Sequence, residues 1–206
     1  MVTVQNLSPI IPTTGMIPLK NTLVTWLTPD FDARERSDRP RGMDMLYVDD
    51  TAGKNDYVTE PLRALWMIRE INRDLRYAGT LTLHDRDAAP ELLSNELILE
   101  AGPYVRLNYI YDSLQTAPVD IGIAIHAGLA HDTLADIFRD GVTAGGIVLV
   151  QDQVSSTFRG PDKQQAYAAH LMLSSYRDGF IQREIVKSPV FDDQTDDSVL
   201  LVMERT

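Results

Sequence analysis

The chain has 206 residues, no cysteine and a formal net charge of -11, with 44% apolar and 24% charged residues. That length suffices for one domain with a full core. The absence of cysteine excludes disulfides, thiolate-bound zinc and a cysteine nucleophile, and the acidic balance disfavours nucleic acid as a partner, because phosphate-backbone binding depends on Lys and Arg.

No apolar run approaches the roughly 20 residues of a membrane span, and the start MVTVQNLSPI lacks the basic-then-apolar order of a secretory signal. A cytoplasmic protein, or a piece of a larger cytoplasmic polypeptide, is expected, with no membrane partner.

Pro9, Pro12 and Pro18 predict an extended or irregular start. Asn21 to Leu27 reads as a short strand or one helical turn with Trp26 packed down, ended by Pro29. A charged stretch follows. Its Arg34, Arg36, Arg39 and Arg41 alternate with Asp32, Glu35 and Asp38, as in a solvated linker; a phosphate or acidic partner is the other reading. Residues 1–42 are expected to form an arm or partial lid, and 43–206 the domain.

From Met43 the pattern changes. Met43 to Val48 is a predicted strand, followed by the turn Asp49 to Asn55. Thr59-Glu-Pro is a helix start, with Thr59 as N-cap and proline in the first turn. Leu62, Leu65, Trp66, Ile68, Ile71 and Leu75 recur at helical spacing, and Gly79 is expected to close the helix. Thr80 to His84 is the next strand. Pro90 begins a helix that should stop at Gly102-Pro103, and Tyr104 to Tyr111 is a strand ending at Asp112.

The chain is organised around residues 119–152. The apolar run Ile121 to Ile125 reads as a buried parallel strand. Asp132 to Phe138 is helical, with a stop near Gly141, a turn at Gly145-Gly146 and a second buried run at Ile147 to Val150. Strand, helix, strand is a βαβ unit, which requires a parallel sheet. A helix over 164–176 and strands at Arg183 to Val190 and Ser198 to Met203, paired as an antiparallel hairpin, complete the series. The alternation predicts an α/β, doubly wound, mostly parallel sheet with a C-terminal antiparallel hairpin.

Ligands of such sheets bind beyond the carboxyl ends of the strands. Here those ends carry Asp49, Asp85 or Asp87, Asp112, His126 and Asp152. Of the four histidines (84, 126, 131, 170), only His126 and His131 are close in sequence, and no metal is assigned to them.

Taken together, these segments resemble the class I S-adenosylmethionine-dependent methyltransferases over Met43 to Thr206. MLYVDDTAGKN sits where that family has its first motif, TLTLH with Asp85 resembles the second strand and its ribose-binding acid, and YIYDSLQTAPVDIGIAIHAGLAH resembles the adenine-contacting segment and fourth motif. TAGGIVLVQD is similar to the turn before the fifth strand, and SPVFDDQTDDSVLLVMER to the reversed seventh strand. The resemblance implies S-adenosylmethionine as cofactor, contacted by Asp49, Thr51, Gly53, Asp85, Asp112, Ser113 and His126. His126, His131 and Asp152 become the candidates for proton handling, and the methyl acceptor, a small molecule or a biopolymer such as an RNA cap, is left open. Of the family's three glycines in the first motif this chain keeps only Gly53, with Thr51 and Asn55 in the other places. The alternative is a methyltransferase-like domain without catalysis, acting as an assembly or regulatory module with a protein partner. A nicotinamide-binding enzyme is disfavoured, because no GxGxxG turn follows the first strand.

Overall fold

In the computed structural model the described residues are 12–35, 41–49, 59–85, 97–110, 117–153, 173–186, 190–191 and 198–206. The elements are α1 (Met16–Glu35), β1 (Met45–Asp49), α2 (Thr59–Leu75), β2 (Gly79–Asp85), β3 (Val105–Ile110), β4 (Val119–Ile125), α3 (His131–Gly141), β5 (Val142–Gln153), β6 (Phe180–Val186) and β7 (Ser198–Arg205). A short helical turn at 97–101 leads through a 3-10 turn at Gly102–Tyr104 into β3.

The seven strands form one sheet in the order β3-β2-β1-β4-β5-β7-β6. The first five are mutually parallel, while β7 runs antiparallel between β5 and β6. This is the expected mostly parallel sheet closed by an antiparallel pair. All seven residues of β4 and all five of β1 are buried, which fits sequences that, Asp49 and Asp120 apart, are apolar and do not alternate.

The pleat sorts side chains into two cores. Met45, Tyr47, Leu81, Ile121, Ile123 and Leu149 face α1 and α2, whose Leu23, Leu65 and Ile68 meet them. Leu46, Val48, Ala124, Val148 and Val150 face α3, which brings Leu134, Ala135 and Phe138. A Cβ on Gly122 would lie 2.6 Å from the Phe138 ring, so this glycine lets the helix lie close to the strand.

The structure corrects several sequence expectations. Asn21 to Leu27 is neither a strand nor a single turn: the helix runs from Met16 through Pro29 to Glu35. Met16, Leu19, Leu23 and Leu27 form its buried stripe, and Trp26 is 37% exposed. Pro18 is tolerated in the first turn, where a missing N–H leaves no helical bond unmade. Gly79 does not close α2; it opens β2. The chain reverses at Arg76 (φ 66), with Tyr77 N–H donating to the Asn72 carbonyl at 3.1 Å, so a non-glycine residue supplies the left-handed stop.

Nor is Gly145-Gly146 a turn between helix and strand. β5 begins at Val142, and its register against β4 passes from Val119↔Val142 to Ile121↔Ile147. The glycines lie in the bulge that absorbs the extra residues, with Gly145 at φ 80. Strand β6 begins at Phe180 and ends at Val186, where Arg183 to Val190 was expected.

Candidate functional site

In the strand order, neighbours are added on one side of β1 through β2 and β3 and on the other through β4 and β5. The carboxyl ends of β1 and β4 therefore flank the point where the chain's winding reverses, the place at which open parallel sheets leave a crevice. Asp49 closes β1 there. It is 4% exposed and accepts a 2.9 Å hydrogen bond from the Tyr47 hydroxyl. Asp85 closes β2 in parallel register with it.

His126 follows β4 directly. Its φ of 49 is in the left-handed region, which costs a residue with a Cβ about 1 kcal/mol and is found where surrounding bonds hold it. The holding bond is visible: His126 N–H donates to the Gln151 carbonyl at 2.9 Å. His126 Nε2 lies 3.4 Å from Gln151 Nε2, and its Nδ1 lies 3.8 Å from Asp152 Oδ1. The other oxygen of Asp152 is 3.3 Å from His131 Nε2 at the start of α3. The three residues proposed for proton handling thus meet around one carboxylate. Asp152 sits within β5, one residue before its end.

Two participants escaped the sequence reading. Glu60, in the first turn of α2, reads in sequence as an acid placed for the helix dipole. In the fold its carboxyl titrates above the ordinary range, chiefly because it is partly buried; Arg63 and His126 pull it down and Asp49 pushes it up. Its place in the first turn of α2, the helix that follows β1, puts it at the same carboxyl edge of the sheet. Gln151, 1% exposed, takes the Val190 and Phe191 N–H groups on its Oε1 at 3.0 and 2.9 Å. Thr13 bonds to the Val190 carbonyl and Arg63 to that of Phe191, so Gln151 of β5, Arg63 of α2 and Thr13 ahead of α1 together hold this segment. No local sequence signal distinguishes a buried, bonded glutamine from a solvated one.

Behind His131 lies Tyr176, its ring centroid 6.4 Å away. Burial, with Asp152 and Asp132 adding to it, pushes this phenol well above its usual range. It is a neutral hydroxyl at any ordinary pH.

Thr51, Gly53, Asp112 and Ser113 lie outside the described residues, as does the side chain of Asp85. Of the arginine stretch, Arg41 pairs with Asp44 and lies 3.9 Å from Asp120 at the opposite end of the strands; Arg34, Arg36 and Arg39 have side chains outside the description. Among the described residues there is no group of three metal-ligating side chains, and no helix long and apolar enough to cross a membrane.

No family model matches the sequence, and no curated protein does. Solved structures do. A Listeria monocytogenes protein assigned to the class I S-adenosylmethionine-dependent methyltransferases superposes with a TM-score of 0.52 at 11% identity, over 92% of this chain and 60% of its own. An O-methyltransferase family 2 protein from Planctomyces limnophilus, in complex with apigenin, gives 0.50 at 15% identity over 91% of this chain and 62% of its own. Precorrin-6y C5,15-methyltransferase from Geobacter metallireducens gives 0.50 at 9% identity over 96% and 95%. The chain spans under two thirds of the first two. The strand order, the reversed β7 and these superpositions agree: the chain has the fold of the class I S-adenosylmethionine-dependent methyltransferases.

Proposed function

We propose that this chain is an S-adenosylmethionine-dependent methyltransferase whose cofactor lies across the carboxyl ends of β1, β2 and β4. One observation carries the reading: Asp49 at the end of β1, Glu60 at the start of α2 and His126 directly after β4 all lie at the carboxyl edge of the sheet where the winding reverses. The side chains suit such a ligand. A crevice bordered by the carboxyl groups of Asp49 and Glu60 attracts a cation, and S-adenosylmethionine carries both a sulfonium and an ammonium. Asp49, held by Tyr47, is placed for the ammonium side. Asp85, at the neighbouring strand end, would accept hydrogen bonds from the ribose hydroxyls. By resemblance Thr51 and Gly53 belong to the methionine end, and Asp112 and Ser113 to the adenine.

When bound, the cofactor supplies an electrophilic methyl group. The protein's part is mainly to align the acceptor with it, which provides much of the barrier reduction. An amine or hydroxyl acceptor must also lose a proton, and Asp152, with His131 beside it, is the group that would take it. Asp152 fixes the ring of His131 through Nε2, as a carboxylate partner does for a catalytic imidazole. The acceptor's identity is not encoded in any described residue; the acidic surroundings favour a neutral or cationic small molecule over nucleic acid.

Calorimetric titration with S-adenosylmethionine and S-adenosylhomocysteine tests the reading. Both should bind. At a ligand concentration near one hundred times Kd, the folded state should gain about 2.7 kcal/mol, visible as a rise in Tm. Asp85→Asn should weaken binding roughly tenfold, or about 1.4 kcal/mol. No heat and no thermal shift with either ligand would overturn the proposal and leave the assembly-module reading in its place.

A further inference from the structure

We infer that Gln151 is a positioning residue that fixes His126 as its Nδ1–H tautomer, so that this imidazole presents a hydrogen-bond donor toward Asp152 and not a basic nitrogen.

The orientation of the glutamine amide is determined by groups whose chemistry admits no choice. Val190 N and Phe191 N are backbone donors, and both point at the same atom of Gln151, at 3.0 and 2.9 Å. Only the amide oxygen can accept there, so the NH2 must occupy the other side. That side is where His126 Nε2 lies, 3.4 Å away. An amide NH2 only donates. The contact is a hydrogen bond when His126 Nε2 carries its lone pair, and a clash of donors when it carries a proton. A neutral imidazole with Nε2 unprotonated holds its proton on Nδ1, the nitrogen 3.8 Å from Asp152 Oδ1.

The segment that sets the glutamine is itself held. Val190 and Phe191 are buried, and their carbonyls receive Thr13 and Arg63. The run of bonds from Thr13 and from Arg63 of α2 through 190–191 to Gln151 therefore ends on one proton of one histidine. His131 is arranged the other way round. It meets Asp152 through Nε2 at 3.3 Å, which leaves the lone pair on Nδ1. The two histidines turn different nitrogens to one carboxylate, His131 at 3.3 Å and His126 at 3.8 Å, so in a proton transfer Asp152 works with His131 and not with His126. That last consequence for proton transfer rests on the methyltransferase reading; the tautomer does not.

The test is NMR of the full chain labelled with 15N-histidine, using long-range 1H–15N correlation in mildly alkaline buffer without added ligand. His126→Asn identifies the His126 signals by their loss. The expected pattern for His126 is a protonated, pyrrole-type Nδ1 and an unprotonated, pyridine-type Nε2. In Gln151→Glu one carboxylate oxygen still accepts the Val190 and Phe191 N–H groups while the other faces His126, so the pattern should reverse to Nε2–H. An Nε2–H or averaged pattern in the unmodified protein overturns the proposal, as does an unchanged pattern in Gln151→Glu. Should that variant not fold, Gln151→Met, which keeps volume and removes the donor, should average the two tautomers, and an unchanged pattern there counts equally against the inference. Because no cofactor is present, the outcome is separate from whether S-adenosylmethionine binds.

Discussion

At the amino ends of the parallel strands, the polar side chains serve the backbone. Asp44 Oδ1 accepts the Thr80 N–H at 2.8 Å, Asp120 Oδ2 accepts the Asp44 N–H at 2.9 Å, and Arg41 neutralises the pair. Asn72, fully buried, takes the Met43 N–H on its Oδ1 at 2.7 Å and gives its amide to the Met43 carbonyl at 3.0 Å. These contacts pin β1, β2, β4 and α2 together. At the carboxyl ends titratable groups gather instead: Asp49 and Glu60 at the end of β1 and the start of α2, and Asp152 with two histidines. The first arrangement uses charge and amide groups to satisfy backbone donors and acceptors, and so contributes stability. The second gathers titratable groups, which does not favour folding and is expected at a ligand-binding site.

This contrast can be broken by substitution, and the largest effects should fall at the amino ends. Asn72→Ala removes two hydrogen bonds to the buried Met43 N–H and carbonyl and should lower unfolding free energy by about 2–3 kcal/mol in denaturant titration, without changing the ligand affinity of the molecules that fold. Gly79→Ala should be of similar size, about 2–3 kcal/mol, because its Cβ would overlap the Met43 carbonyl oxygen and approach the Asn72 amide at 2.7 Å. At the carboxyl ends the order inverts. Asp49→Asn should change stability by less than about 1 kcal/mol while weakening S-adenosylmethionine roughly tenfold by calorimetry. A loss of several kcal/mol from this change would erase the distinction between the two ends.

Glu60→Gln sharpens the comparison through pH. The folded protein binds a proton at Glu60 more readily than the unfolded chain does, so the ionised group opposes folding once pH exceeds its raised folded value, and that opposition vanishes as pH falls below the ordinary carboxyl range. The variant should therefore have a higher Tm than the parent at neutral pH, with the gain shrinking to nothing in acid. A gain that is constant with pH would point to packing and not to charge. Smallest of all, Lys20→Ala, which removes the 2.5 Å exposed pair with Asp74 between α1 and α2, should cost no more than about 0.5 kcal/mol.

Legibility differs between these regions for physical reasons. The buried runs of β1 and β4 and the helical spacing in α2 are local patterns, and they sufficed for the α/β class, the parallel sheet and the reversed final pair. Asp49, His126, His131 and Asp152 were visible because each adjoins such a run. Glu60 and Gln151 were not, since nothing within a few residues of either indicates that it ends up beside His126. Where the sequence misled, a local signal had been overridden by packing: Gly79 and Gly145-Gly146 looked like stops, yet the first opens β2 and the others fill a bulge. The helix at Met16 to Glu35 was missed because two prolines mask it, although its stripe of Leu19, Leu23 and Leu27 decides the matter once a core is there to receive it.

By itself, then, the sequence determined which segments are strands buried on both faces, and hence that their polar ends would have to gather along two edges. Which edge uses its carboxylates on the backbone and which leaves them facing a crevice was decided only by the strand order, because that order selects which chain ends become neighbours. The same is true of the proton on His126. Its position depends on two backbone N–H groups about forty residues further along the chain, and a contact over that span exists only after the sheet has closed around it.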